Sequence, residues 1–197
     1  MYVHGYRDDV DSAFTNHRLA EQFAKSALDA LFIAVAAPSG PGQPVMFGDL
    51  DELLRLVNAE GPVLVLGHSG GNHTMKAWLS SPRVREVVLL DGFYGGAKPW
   101  TKWLSSPRVR EVVLLDGFYG DAKPWTKWLS SKTDATLRMV GQHTWAKAEA
   151  WRVGLPVALR AQVTHERAGC PHMEIVTNGD WLPRVLRESS LADTING

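Results

Sequence analysis

Cysteine is almost missing from this chain. Cys170 stands alone, so no internal disulfide and no CxxC pair exists, and a zinc site would have to be built from histidines and carboxylates. An excess of either charge is missing as well, because 21 Lys plus Arg balance 21 Asp plus Glu. That balance removes the electrostatic pull toward nucleic acid. No apolar stretch approaches the about 20 residues that span a bilayer. The opening MYVHGYRDDVDSAF also lacks the basic residues and apolar run of a secretory signal, so the cytoplasm is the expected compartment, with neither membrane nor nucleic acid as partner. What is present is a mix of 45% hydrophobic and 21% charged residues, suited to burying a core. A single domain over residues 1–197 is expected.

A repeat dominates the middle of the chain. Trp78–Lys102 reads WLSSPRVREVVLLDGFYGGAKPWTK and Trp103–Lys127 repeats it at 24 of 25 positions, with Gly96 set against Asp121. A third WLSS opens at Trp128 and then diverges. Solenoids need about three or more drifted units with atypical caps. Two near-identical copies inside a non-repetitive chain read instead as a tandem duplication, with a parent of 197 − 25 = 172 residues.

Around the repeat, apolar runs alternate with helical spacing. Met1–Val3 is a strand stub ending in His4-Gly5, and Asn16–Leu31 has helical periodicity. Leu31–Ala37 reads as a buried strand, Asp49–Ala59 as a helix, Val63–Leu66 as a strand and Asn72–Leu79 as a helix. Glu86–Leu90 and Glu111–Leu115 are duplicate strands ending at Asp91 and Asp116, each followed by a Gly-Phe-Tyr-Gly turn and a helix around PWTKWL. Ala135–Val140 reads as a strand, Trp145–Val153 as a helix, Val157–Val163 as the last strand, and Glu174–Glu188 as a helix interrupted near Pro183. The alternation predicts an α/β three-layer sandwich, a mostly parallel sheet with helices on both faces.

The chemistry concentrates in VLVLGHSGGNHTMKAW. Gly67-His68-Ser69-Gly70-Gly71 places a serine between a buried strand and a helix, with glycines two positions either side, the G-x-S-x-G form of a nucleophile elbow. The sharp turn thrusts the hydroxyl outward, and the start of the helix offers the Gly70 N–H to a developing oxyanion. With His4-Gly5, a strand-end Asp91 or Asp116 and a late His172, the chain resembles the α/β-hydrolase superfamily in a small, esterase-like form without a cap domain. The resemblance implies Ser69 as nucleophile, His172 as general base, Asp116 or Asp91 as the orienting acid, and the backbone N–H groups of Tyr6 and Gly70 as the oxyanion hole. Most members carry the acid one strand later, but Ala135–Val140 ends in Gly141-Gln-His-Thr without a carboxylate. A serine hydrolase acting through an acyl-enzyme on a small ester, thioester or amide is therefore expected, with no metal or organic cofactor.

Each of these residues has a plainer reading. Ser69 would serve in any Gly-rich βα loop, including one binding phosphate, although no Lys-Ser or Lys-Thr pair of a P-loop follows it. His165 rivals His172 as base, and both aspartates suit strand-end turns. His68 is expected to pack beneath the elbow and Cys170 to be a small apolar filler, while His73 and His143 lack the spacing of a metal site. The duplication raises its own question. If the sheet has one slot beside the elbow strand, the two copies compete for it, and the displaced one would lie on an edge or mediate self-association. A non-catalytic or impaired hydrolase-fold protein is the alternative that follows.

Overall fold

The computed structural model describes residues 1–92 and 98–195. Seven parallel strands form one sheet: β1 (Tyr2–Val3), β2 (Ala34–Val35), β3 (Val63–His68), β4 (Val84–Leu90), β5 (Glu111–Leu115), β6 (Thr136–Gly141) and β7 (Val163–Arg167). They lie in the order β2-β1-β3-β4-β5-β6-β7. Between and after them run α1 (Val10–Asn16), α2 (Leu19–Ser26), α3 (Leu50–Leu56), α4 (Asn72–Trp78), α5 (Lys98–Leu104) and α6 (Lys123–Ser131). The later helices are α7 (Trp145–Gly154), α8 (Val157–Arg160), α9 (Glu174–Thr177), α10 (Trp181–Arg187) and α11 (Ser190–Ile195). Among the described residues no helix is long and apolar enough to cross a membrane.

Strand alternation sorts side chains into two cores, because successive residues of a strand point to opposite faces. Val63, Val65, Val87, Leu89, Val112 and Leu114 meet α3 to α7 on one face. Leu64, Leu66, Val88, Leu90, Val113 and Leu115 meet α1, α2, α9 and α10 on the other. Burial on both sides is why these strands read as unbroken apolar runs. The result is the expected three-layer α/β sandwich.

Neither repeat copy is displaced. β4 and β5 sit side by side with identical residues in register, Glu86 against Glu111 through Leu90 against Leu115, so the expected competition for one slot does not occur. The reason lies in the phase of the repeat, whose boundaries fall within successive helices: Trp78 closes α4, Trp103 is near the end of α5 and Trp128 lies inside α6. Each 25-residue copy therefore adds one strand and the equivalent of one helix, and the sheet grows by a complete unit. The helices repeat too: Trp100–Trp103 and Trp125–Trp128 are both edge-to-face pairs with ring centroids 6.3 Å apart. All four rings are buried.

Several boundaries differ from the sequence reading. The Asn16–Leu31 helix is only Leu19–Ser26, closed by Ala27 in the left-handed region at φ 54°. A separate α1 precedes it, started by a capping box between Asp9 and Ser12. The Leu31–Ala37 run pairs only over Ala34–Val35, since its partner β1 is itself two residues long. Asp49 caps α3, which ends at Leu56, short of Ala59. Val157–Val163 is not the last strand: Pro156 launches the short α8, and the strand β7 begins at Val163. The C-terminal helix breaks at residues 178–180, where Gly179 has φ 81°, and Pro183 instead sits in the first turn of α10, where no N–H is needed. Phe93 to Gly95, read as a turn in the first copy, lie outside the described residues.

Candidate active site

The functional candidates gather at the C-terminal edge of the sheet, where open α/β sheets bind ligands. Ser69, Asp91 and Asp116 directly follow β3, β4 and β5 and share a left-handed backbone, φ 45°, 47° and 48°. Asp adopts this region with local hydrogen bonding; Ser does so at a cost of about 1 kcal/mol or more. Such strain marks a position whose side-chain direction is imposed by its surroundings. Ser69 opens a 3-10 turn, Ser69–Gly71, that leads into α4.

Close approach dictates the flanking glycines. A Cβ on Gly71 would lie 2.5 Å from the Val3 carbonyl oxygen and 2.6 Å from that of His4. On Gly70 it would meet the Tyr6 ring at 2.4 Å, so the two residues proposed from sequence as an oxyanion hole are immediate neighbours. Tyr6 in turn stacks on His73, with ring centroids 5.9 Å apart. His4 shapes this corner. Its Nε2 accepts the Ala37 N–H at 2.9 Å, which leaves Nδ1 to donate to the Gly5 carbonyl at 2.9 Å.

Asp116 is the best-held group in the site. It is 1% exposed, and its carboxylate accepts the backbone N–H groups of Gln142 at 3.0 Å, His143 at 2.9 Å and Thr144 at 2.7 Å. It also accepts the Thr144 hydroxyl at 2.8 Å. Burial by itself would raise the carboxyl pKa, but these donors and His172 override it and hold the group down at about 2. His172, in the turn before α9, donates from Nδ1 to Asp116 Oδ2 at 2.7 Å. Its Nε2 lies 3.4 Å from Asp91 Oδ2. Burial would lower the His172 pKa, yet the bond to Asp116 and the charge of Asp91 prevail and raise it.

The structure thus brings His172, Asp116 and Asp91 into contact. Ser69 lies on the same edge, but among the described residues its hydroxyl makes no hydrogen bond to His172. His68 packs edge-on against His17, centroids 5.1 Å apart, and burial lowers its pKa to about 4. The rival His165 is in the middle of β7, bonded through Nδ1 to Glu149 at 2.7 Å. Cys170 is half-buried and accepts a bond from Asn178 at 3.4 Å. The 142–144 turn escaped sequence reading because it acts through backbone donors. Only the strand-to-helix Gly141-Gln-His-Thr-Trp145 junction hinted at it.

Several hollows open among the described residues. One of about 520 Å³ lies beside His4, between Asp8, Val10, Pro38, Pro44 and Met46, and none of Ser69, Asp91, Asp116 or His172 lines it. A more enclosed one, about 270 Å³, lies at the opposite edge around Met1, Leu28, Ile33, Leu64 and Leu191, away from every candidate residue. The comparisons with family models, curated proteins and solved structures find no match to this chain.

Proposed function

We propose that this chain is a serine hydrolase of the α/β-hydrolase kind, cleaving a small ester, thioester or amide through an acyl-enzyme. Ser69 Oγ attacks the carbonyl carbon while His172 takes its proton, and the Tyr6 and Gly70 N–H groups receive the negative charge that builds on the carbonyl oxygen. Collapse of the tetrahedral intermediate expels the alcohol, thiol or amine, which leaves with the proton held by His172. Water then repeats the sequence on the acyl group. Asp116 orients the ring and stabilises its charged form.

The observation that carries this reading is the His172–Asp116 bond of 2.7 Å on the edge where the left-handed Ser69 ends β3. A buried carboxylate fixed by backbone donors and bonded to Nδ1 is what an orienting acid requires. The open hollow beside His4, with apolar Val10, Pro38 and Met46, suits a short acyl or alcohol group. A second reading, a hydrolase fold that does not turn over, has its own support in Asp91 at 3.4 Å from Nε2.

The test is covalent labelling with a fluorophosphonate from about pH 6 to about pH 10. The expected outcome is labelling that rises with pH, since the His172 pKa is raised, and that vanishes in Ser69→Ala. A folded chain unlabelled at every pH rejects catalysis.

A further inference from the structure

We propose that Asp91 is a built-in competitor for the nitrogen of His172 that Ser69 would need, so that the first repeat copy holds the Ser69–His172–Asp116 centre closed. The consequence for activity rests on the hydrolase reading; the clamp on the ring does not.

The geometry follows from the repeat. Leu90 pairs with Leu115, so the next residues, Asp91 and Asp116, end adjacent strands about 4.8 Å apart. His68 pairs with Leu90, so Ser69 ends the strand on the far side of Asp91. A chain with a single copy would have one aspartate beside Ser69 and none in between. Here the ring bonds the farther carboxylate, Nδ1 to Asp116 at 2.7 Å, and meets the nearer one at Nε2, 3.4 Å from Asp91.

A neutral imidazole carries one proton on two nitrogens, so it can donate to only one of two carboxylates. Ionised carboxylates are acceptors only. Facing one on each side, the ring gains most by holding both protons, and an imidazolium cannot accept the proton of Ser69. Burial of the ring opposes that state, and the other imidazoles near it are those of His68, at the end of β3, and of His143, whose centroid is 5.8 Å from that of His172. The shared left-handed backbone of Asp91 and Asp116 keeps both carboxylates directed at the same edge.

The experiment is an imidazole nitrogen NMR titration of the full chain and of Asp91→Asn, paired with fluorophosphonate labelling. Asp91→Gly is the second variant, since both Asn and Gly tolerate the left-handed backbone. In the full chain His172 is expected to keep its second proton to higher pH than in the variants. In either variant its titration midpoint should fall by about one unit, and labelling at neutral pH should rise about tenfold. An unchanged midpoint overturns the clamp whatever the activity. So does full-chain labelling at neutral pH as fast as that of the variants, and so does loss of labelling in a folded Asp91→Asn, which would make Asp91 the orienting acid. A lowered midpoint with no labelling in any chain upholds the clamp and rejects the hydrolase.

Discussion

At the scale of single residues, the site depends on how closely two backbones pass. Gly71 faces the carbonyl oxygens of Val3 and His4 at 2.5 and 2.6 Å, whereas Gly67 faces the Met75 thioether, whose Sδ would be 1.8 Å from a new Cβ. The second clash looks worse and is milder, because a methionine has three rotatable bonds and a strand carbonyl has none. Gly71→Ala is therefore expected to destabilise by more than about 3 kcal/mol or to prevent folding, and Gly67→Ala by about 1–3 kcal/mol. Urea midpoints of the two variants check the order. Ser69 and the Asp91 or Asp116 alternative were legible as candidates, since glycine spacing and strand ends are written in residue identity, whereas His172 was singled out over His165 only by a resemblance. The donors that hold Asp116 were not, because any residue at 142 or 143 supplies the same N–H.

At the scale of elements, copying a strand copied its charges. Glu86 and Glu111 occupy the same position in the two copies and pair across β4 and β5. Arg138 reaches Glu111 at 3.2 Å, while Glu86, fully buried, is met by the Ser189 hydroxyl at 2.6 Å and the Ser190 hydroxyl at 3.2 Å. Burial first, then the neighbouring Glu111 charge, raises the Glu86 pKa to about 7. Its folded pKa lies above its unfolded one, so the native state binds more protons between the two. Stability is full below the unfolded value of 4.5 and falls as pH rises through about 7, by on the order of 3 kcal/mol. Glu86→Gln should flatten that decline, seen as a urea midpoint that no longer drops between about pH 5 and about pH 8.

Element legibility followed burial. β3 to β5 are apolar on both faces over most of their length, β6 carries Thr136 and Arg138 on one face, and all four were read nearly to their ends. β7 is a polar edge strand, Val163-Thr-His-Glu-Arg167, and the more apolar Val157–Arg160 beside it drew the assignment, although Pro156 starts a helical turn there. α1 went unread because its signal is the Asp9–Ser12 capping box, and only Ala13 within it is buried.

At the scale of the whole molecule, the sheet is modular in steps of 25 residues. A chain lacking Trp78–Lys102 is expected to fold with one strand and one helix fewer and a urea m-value lower by about a tenth, because m follows the surface exposed on unfolding. Removing Val84–Leu90 alone should instead yield insoluble protein, since a helix would remain whose apolar face has no strand beneath it. Circular dichroism and solubility of the two deletions distinguish these outcomes. What the sequence could not announce was that the sheet had room for both copies. That depended on where the copy boundaries fell relative to the helices, a matter of three-dimensional phase.

Two neighbouring strands with the same residues in the same phase have a further consequence for how this chain finds its native state. Trading the places of β4 and β5 would preserve the identity of every side chain packed against β3 and β6. Only the connecting segments, and the bias of parallel crossovers toward one hand, tell the arrangements apart. The folding chain must therefore reject a near twin of itself on connectivity alone.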